Sequence, residues 1–281
     1  MRETLLDWYA GAARDLPWRR PAAGPWGVLV SEFMLQQTPV ARVLPVWEMW
    51  VSRWPSPAAL AGDSAGEAIR AWGRLGYPRR AQRLHAAAGE IVARFGGEVP
   101  SSYDDLRSLP GVGGYTARAV RAFGFGASDV PLDTNVRRVL ARLHQATADA
   151  TGSAPGRAEQ DRADDFADGS GGVGAALMEL GAVICVARTP RCTACPAAAG
   201  CGWRAAGFPP GVAKVGQSYA GTDRQARGAL LAVLRATDGA VPPAELARAW
   251  VPEEQRERAL AGLLADGLAI GDAERGYALP S

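Results

Sequence analysis

Long apolar runs are absent from this 281-residue sequence. None approaches the roughly 18 consecutive apolar residues that a membrane-spanning helix requires, so a transmembrane protein is excluded and no membrane partner is expected. The stretch Met1-Arg2-Glu3-Thr4 contains an acid and no apolar segment, so we expect no secretory signal. With 48% hydrophobic and 21% charged residues, the composition is that of a globular protein, which we expect to be cytoplasmic.

Lysine is almost absent, and the charge is unevenly distributed. Lys214 is the only lysine among 31 basic residues. The net charge of +2 neither demands nor excludes a polyanionic partner. Residues 67–142, however, contain 12 arginines and seven acidic residues. This local excess of basic side chains favours nucleic acid as a partner.

Cysteine is scarce, and its four copies lie within 17 residues, at Cys185, Cys192, Cys195 and Cys201. A disulfide framework would be scattered through a small secreted chain, so a metal centre is the better interpretation. Four thiolates can bind zinc or an iron-sulfur cluster. Zinc ribbons usually pair two C-x2-C knuckles, and only Cys192 and Cys195 form one here. The unequal spacing favours a [4Fe–4S] cluster held by one compact loop.

Apolar residues recur at three- and four-residue spacing along the chain, which predicts an all-α fold. The predicted helices before the cysteines include residues 29–36, 40–54, 79–95, 115–123, 135–143 and 174–187. After the last cysteine, residues 208–222 are aperiodic and contain proline and glycine, which predicts a linker. Helices at 224–236, 243–250 and 253–266, followed by a short hairpin, predict a small winged-helix-like module over residues 223–281.

The sequence Leu109-Pro110-Gly111-Val112-Gly113 joins two predicted helices. Glycines two residues apart let the backbone approach a ligand closely, and a helix N-terminus favours an anion. The motif therefore has the pattern of a helix-hairpin-helix that binds DNA phosphate. An ordinary tight connection between two helices is the alternative.

Two acidic residues stand out as candidates for proton chemistry. Asp133 lies immediately before a predicted helix, where its simplest role is an N-cap. Glu32 lies on an apolar helix and is followed by two amides and Thr38. If buried, Glu32 would have a raised pKa and could act as a general acid, and otherwise it is a solvated helix residue.

These features, in this order, resemble the endonuclease III (helix-hairpin-helix) superfamily and, within it, the MutY-type adenine DNA glycosylases. The resemblance covers about residues 1–210. It implies a two-lobed catalytic domain over residues 1–207 that includes the iron-sulfur loop 185–201, with mispaired double-stranded DNA in the cleft. It also implies a monomeric base-excision-repair enzyme associated with the nucleoid. Lyases of the superfamily have a lysine in the helix after the hairpin, and the matching residue here is Tyr115, which implies a monofunctional glycosylase.

The resemblance assigns a role to each matching residue. Glu32 would protonate adenine mispaired with 8-oxoguanine or guanine, and Asp133 would stabilise the oxocarbenium-like sugar. Hydrogen bonds around this pair would come from Tyr115 and Asn135, and the base pocket would be lined by Trp18 and Arg19. The residues implied to contact DNA are Gln37, Thr38, Leu75, Tyr77, Gly111, Val112 and Gly113.

Three features depart from the family pattern. Thr134 stands where the family often has glycine. Val173-Gly174-Ala175 replaces a Phe-Asn-Gln/Glu segment that contacts adenine. The helical pattern predicted after the cysteines is not that of the Nudix-like β domain with which many family members read 8-oxoguanine, so we expect no such domain in this segment. Two alternatives stay open: a T:G mismatch thymine glycosylase of the same superfamily, and a non-catalytic DNA-binding scaffold.

Overall fold

The computed structural model describes residues 1–211 and 219–281. Residues 212–218, in the middle of the predicted linker 208–222, lie outside the described residues. The chain divides into two compact units. Within the described residues, unit 1 comprises Met1–Leu29, Ser101–Ser108 and 112–211, and unit 2 comprises Val30–Pro100, Leu109–Gly111 and 219–281.

The described residues are mostly helical, which confirms the predicted all-α fold. The α-helices are, in chain order, α1 (Arg2–Ala12), α2 (Gly24–Leu35), α3 (Val40–Arg53), α4 (Pro57–Ala61), α5 (Ala65–Trp72), α6 (Arg79–Phe95), α7 (Tyr103–Ser108), α8 (Gly114–Gly124), α9 (Thr134–His144), α10 (Arg157–Ala167), α11 (Val173–Val183), α12 (Gly202–Ala205), α13 (Asp223–Ala236), α14 (Pro243–Ala249) and α15 (Glu253–Ala265). Two short antiparallel strands follow, β1 (Ile270–Asp272) and β2 (Gly276–Ala278). Nowhere in residues 1–211 or 219–281 is a helix long and apolar enough to cross a membrane.

The core of unit 1 is formed by α1, α9, α10 and α11. Buried aliphatic side chains from these helices, including Leu5, Val136 and Leu177, make up one contiguous cluster. Helices α9 and α11 approach closely because Gly181 has no side chain. A Cβ at that position would lie 2.7 Å from the Cβ of Asn135. This close packing fixes the start of α9 against α11.

The core of unit 2 is built around tryptophans of α3 and α5. The Trp50 ring packs edge-on against Trp72, with ring centroids 5.5 Å apart, and both side chains are fully buried. Helix α5 begins where Ser64 Oγ accepts a hydrogen bond from the Glu67 N–H at 3.1 Å. Helix α6 ends at Phe95 and is followed by Gly96, which has the left-handed backbone typical of a C-cap. The predicted bounds 79–95 are therefore confirmed.

The prediction for α11 was four residues too long at its C-terminal end. The helix stops at Val183 rather than residue 187 because the N–H of Cys185 turns back to the carbonyl of Leu180 at 2.7 Å. The carbonyls of Val186 and Ala187 then accept hydrogen bonds from Arg142 instead of continuing the helix.

The elements predicted after the linker are present as α13, α14, α15 and the hairpin β1–β2. Val241 pairs with Tyr277 in an isolated bridge that ties the hairpin to the start of α14. These elements belong to unit 2, so the compact units divide the chain differently from the predicted domains. The boundaries 1–207 and 223–281 stay a prediction.

Candidate functional site

Asp133 caps α9 in unit 1. Its Oδ1 accepts hydrogen bonds from the N–H of Asn135 at 2.9 Å and the N–H of Val136 at 2.7 Å. Its Oδ2 accepts one from Asn135 Nδ2 at 2.8 Å. Burial raises the pKa of Asp133 above its ordinary value, while these hydrogen bonds favour the carboxylate. The carboxyl group that caps α9 is therefore half-buried and fixed in position by three hydrogen bonds.

Asn135 connects Asp133 to the cysteine-bearing loop. Its Oδ1 accepts a hydrogen bond from Arg138 Nη2 at 2.8 Å. Arg138 donates in turn to the carbonyl of Gly181 at 2.7 Å and to that of Cys185 at 2.8 Å. The amide of Asn135 is therefore oriented by the buried guanidinium of Arg138, and its Nδ2 group is directed at the carboxylate of Asp133.

Tyr115 lies in the first turn of α8, on a cleft of about 440 Å³ in unit 1. Leu132, which immediately precedes Asp133, lines the same cleft. Further along, Arg118 and Gln160 contribute polar atoms. Tyr115 and Leu132, the residue before Asp133, therefore line the same cleft.

The segment 173–175 forms the first turn of α11. A Cβ on Gly174 would lie 2.9 Å from Pro131 Cδ and 3.1 Å from the carbonyl oxygen of Asp129. Val173 is fully buried in the core of unit 1. Helix α11 therefore packs directly on the segment 129–131, shortly before Asp133, and a larger residue at position 174 does not fit this packing.

Glu32 lies on α2 within unit 2 and is 5% exposed. The neighbouring Ser31 and Phe33 are fully buried. The other residues of α2 are mostly apolar, and the carboxyl group of Glu32 is withdrawn from bulk solvent among them. Glu32 is therefore a buried residue, and its role as a general acid stays a prediction.

Four of the predicted DNA-contacting residues of unit 2 form two pairs. Gln37 and Tyr77 are exposed, and both have left-handed backbones with φ of 55° and 48°. Thr38 and Leu75 are buried, and the hydroxyl of Thr38 lies 3.2 Å from the carbonyl oxygen of Leu75, to which it donates. The hydrogen bond between Thr38 and Leu75 therefore links the loop after α2, which presents Gln37, to the loop after α5, which presents Tyr77.

The glycines of the hairpin have different surroundings. Gly111, in unit 2, has φ of 80°, and a Cβ there would lie 2.8 Å from Arg83 Cβ and 2.9 Å from Phe33 Cε1. Gly113, in unit 1, is exposed and caps α8, with no atom within 3.5 Å of where a Cβ would stand. Val112 between them is buried. Gly111 is therefore required by packing, and Gly113 leaves the N-terminus of α8 open.

All four cysteines line one cavity in unit 1 and none forms a disulfide. Burial raises the pKa of the Cys192 and Cys195 thiols. Arg142 Nη1 lies 3.3 Å from Cys185 Sγ. Within residues 1–211 and 219–281, no three Cys, His, Asp or Glu side chains converge closely enough to hold a single metal ion.

Comparisons with known proteins identify the family. The HhH-GPD superfamily base excision DNA repair protein profile matches residues 30–161. The adenine DNA glycosylase of Mycobacterium tuberculosis H37Rv is 51% identical over 284 residues, spanning 98% of this chain and 92% of that protein. The chain belongs to the adenine DNA glycosylase family. The adenine DNA glycosylase of Mycolicibacterium smegmatis is 50% identical, over 98% of this chain and 94% of that protein.

The fold of this family member is also similar to that of a solved thermostable thymine-DNA glycosylase. The TM-score is 0.63 with 26% identity, and the match covers 71% of this chain and 93% of that one. The resemblance inferred from the hairpin, the acids and the cysteine spacing is confirmed. The roles of individual site residues stay predictions.

Glu179 is a buried site residue that the sequence analysis of this glycosylase-family chain missed. Its carboxylate, fully buried on α11, accepts hydrogen bonds from Arg14 Nε at 2.7 Å and Arg19 Nη2 at 2.8 Å. These arginines hold its pKa at about 2 even though burial acts in the opposite direction. The ion pair between Arg19 and Glu179 anchors the turn Pro17–Arg19, which contains the buried Trp18. An acid inside an apolar helix was the available signal, the same one that singled out Glu32.

Arg80, at the start of α6, is the second missed residue. It is 5% exposed, and its Nη1 donates to the carbonyls of Phe33 at 2.8 Å, Met34 at 2.9 Å and Gln36 at 2.7 Å. Its Nη2 donates to the carbonyl of Gly76 at 2.9 Å. Burial lowers the pKa of Arg80 to about 10. One guanidinium therefore closes the C-terminus of α2 and ties it to the loop that presents Tyr77.

Proposed function

We propose that this protein removes adenine mispaired with 8-oxoguanine or guanine in duplex DNA, and that it hydrolyses the N-glycosidic bond without cutting the strand. The observation that carries the proposal is the 51% identity to an adenine DNA glycosylase along 98% of the chain. A thymine-DNA glycosylase is the weaker match by the same sequence comparison, at 36% identity over 70% of the chain. Base excision requires the target nucleotide to leave the stack, at a cost of a few kcal/mol.

Glu32 acts as the general acid in this proposal. Its burial on the apolar α2 supports the role, because removing a carboxyl group from water disfavours its charged form. Protonation of adenine at N7 makes the base a leaving group. Glu32 then takes a proton from the attacking water, as the acid-base carboxyl group does in glycoside hydrolysis.

Asp133 supplies the negative charge that stabilises the oxocarbenium-like sugar. The three hydrogen bonds from Asn135 and Val136 support this role, since they favour the carboxylate and fix its direction. Tyr115 stands where superfamily lyases have lysine, and a phenol forms no Schiff base. The proposed enzyme therefore leaves an abasic site that is cut only by alkali.

The cysteine loop fits a [4Fe–4S] cluster by the chemistry of its donors. Four thiol groups line one cavity, and cluster irons accept four thiolate ligands. Cys185, Cys192, Cys195 and Cys201 would hold the cluster, which supplies a rigid cross-link of the loop when bound. Arg138 and Arg142, from α9, bind the backbone carbonyls that lead into this loop.

DNA contact is proposed at the exposed parts of both units. In unit 2, Gln37 and Tyr77 would contact the opposite base and fill the gap left by the flipped adenine. In unit 1, the open N-terminus of α8 after Gly113 would bind a phosphate. Trp18 and Arg19 would line the base pocket.

Two substitutions test the proposed mechanism. Glu32→Gln and Asp133→Asn each preserve side-chain shape and remove the proton chemistry or the charge. We expect both variants to bind an A:8-oxoguanine duplex like the unmodified protein and to release no adenine in single-turnover assays. Adenine release by either variant at the unmodified rate would contradict the assigned roles.

A further inference from the structure

Residues 73–78, the probe loop, connect α5 to α6 and present the exposed Tyr77. We propose that the C-terminal module, residues 219–281, is a brace that holds both ends of the probe loop and is not a second DNA-binding surface. The proposal rests on the proposed function only for the role of Tyr77 in DNA contact. Every contact that supports it lies within unit 2.

Two arginines hold the α5 end of the probe loop. One reaches from α5 to the C-terminal module, and the other reaches from the module back to α5. Arg70, in the last turn of α5, donates to the carbonyl of Thr237 at 3.2 Å and also to the carbonyl of Arg235. Arg235, at the end of α13, donates from Nε to the carbonyl of Ile69 at 3.0 Å. Burial lowers the pKa of Arg235 to about 10. These contacts fix the end of α5 against the end of α13.

The α6 end of the probe loop is held by the turn after α15. Arg79, two residues after Tyr77, forms an ion pair with Asp266 at 3.3 Å. Gln82, one turn further along α6, donates to the carbonyl of Gly267. The module therefore contacts both helices that flank the loop, close to the points where the loop leaves them.

Gly66 shows how closely the module and α5 approach each other. A Cβ built on Gly66 would lie 2.2 Å from the carbonyl oxygen of Pro280 and 3.2 Å from Leu279 Cβ. Both neighbours belong to the segment after β2, and the first is a backbone atom that cannot rotate away. Even a methyl group at position 66 must displace this segment of the module.

The charge of the module argues against a phosphate-binding role. Residues 219–281 contain nine acidic residues and seven arginines, whereas residues 67–142 have an excess of five arginines. Exposed Glu253, Glu254 and Glu257 lie on α15, the third helix of the module. Affinity for duplex DNA depends on cationic side chains that neutralise phosphates. A net acidic module adds no such attraction.

The probe loop needs a brace because its backbone is strained. Gly73, Gly76 and Tyr77 all have positive φ, and a positive φ is unfavourable for a bulky residue such as tyrosine. Such conformations persist only when the surroundings fix them. Arg80 fixes the loop from the core side, and the module fixes the helices that lead into and out of it.

Amide hydrogen exchange of the full chain tests the brace without reference to activity. The variants are Gly66→Ala and Asp266→Asn. Their matched controls are Gly89→Ala, where a Cβ on α6 meets nothing within 4 Å, and Glu254→Gln, an exposed acid of α15. We expect both variants, and neither control, to raise exchange of the amides of residues 73–77 by about tenfold or more, with unit 1 unchanged. Unchanged exchange in both variants, or equal increases across the chain, would overturn the brace.

A double-mutant cycle with Tyr77→Ala extends the test to function. We expect Gly66→Ala to slow adenine release about tenfold in the unmodified chain and to have no further effect beside Tyr77→Ala. Equal losses in both backgrounds would contradict the brace. Replacing the exposed Arg224, Arg248 and Arg275 by glutamine should leave the salt dependence of duplex binding unchanged, and a reduced dependence would show that the module binds DNA. If the unmodified protein releases no adenine, the proposed function fails while the exchange result still decides the brace.

Discussion

Asn135 donates a hydrogen bond from Nδ2 to Oδ2 of Asp133 at 2.8 Å, while its own Oδ1 is held by Arg138. The amide cannot turn over without losing both contacts. This relationship links the proposed charge at Asp133 to a residue that also binds the backbone of Cys185.

Asn135→Ala should slow base release about 10- to 100-fold and change its pH dependence. The pKa of Asp133 is already raised by burial, and the lost hydrogen bond favoured the carboxylate, so the pKa rises further. In a plot of the single-turnover rate against pH, the acid limb should therefore move to higher pH. Thr134→Ala, at the exposed neighbouring position, is the control and should leave the limb in place. An unshifted limb in Asn135→Ala would exclude Asp133 as the titrating group.

Glu179→Gln should lower the free energy of unfolding by about 2 kcal/mol, because it leaves two arginines without their buried partner. The folded pKa of about 2 lies below the ordinary value of 4.5, so the stabilisation is complete above that value and is lost as the pH falls towards 2. Urea unfolding across this range should show the loss in the unmodified chain and not in the variant. Glu90→Gln, which breaks the exposed pair with Arg94, should cost less than about 0.5 kcal/mol.

Arg80→Lys should destabilise unit 2 and slow base release, even though the positive charge is retained. A lysine has one nitrogen and cannot reach the carbonyls of both Gln36 and Gly76, which Arg80 binds through separate Nη atoms. We expect a loss of about 2 kcal/mol in urea unfolding. Arg94→Lys, on the exposed face of α6, provides the comparison. Equal stability of the two variants would show that Arg80 does not hold the loops.

Substitutions of the two hairpin glycines should distinguish a packing role at Gly111 from a DNA-binding role at Gly113. Gly111→Ala forces a Cβ into Phe33 and Arg83 at positive φ and should destabilise the protein by about 2 kcal/mol or more. Gly113→Ala has space and an extended backbone, so the fold should be unchanged. If the N-terminus of α8 binds phosphate, Gly113→Ala should weaken duplex affinity severalfold without a change in unfolding midpoint. Unchanged affinity would remove this phosphate site from the account.

The helices were predictable where one apolar face and a clear end signal coincide. The bounds of α6 follow from its periodicity and from Gly96. Helix α10 (Arg157–Ala167) was not predicted because its sequence is mostly polar. Its ordering depends on partners far away in sequence, such as the ion pair between Glu159 and Arg137 at 2.8 Å.

The candidate site was predictable where chemistry is local and not where it depends on long-range pairing. Asp133 was singled out by its position before a helix, and it does cap that helix. Glu179 was missed because Arg14 and Arg19 are 165 and 160 residues away. Arg80 was missed because nothing in its own neighbourhood shows that four carbonyls converge on it. Gly111 also meets a packing requirement that its sequence motif does not show, and its contact with DNA stays a prediction.

The most direct test of the central claim is single-turnover base release from duplexes containing A:8-oxoguanine, A:G, A:C and T:G pairs, scored for free base and for strand breaks before and after alkali. We expect adenine as the released base, fastest opposite 8-oxoguanine, with strand breaks only after alkali. Thymine release, or binding to every duplex with no base released, would contradict the central claim.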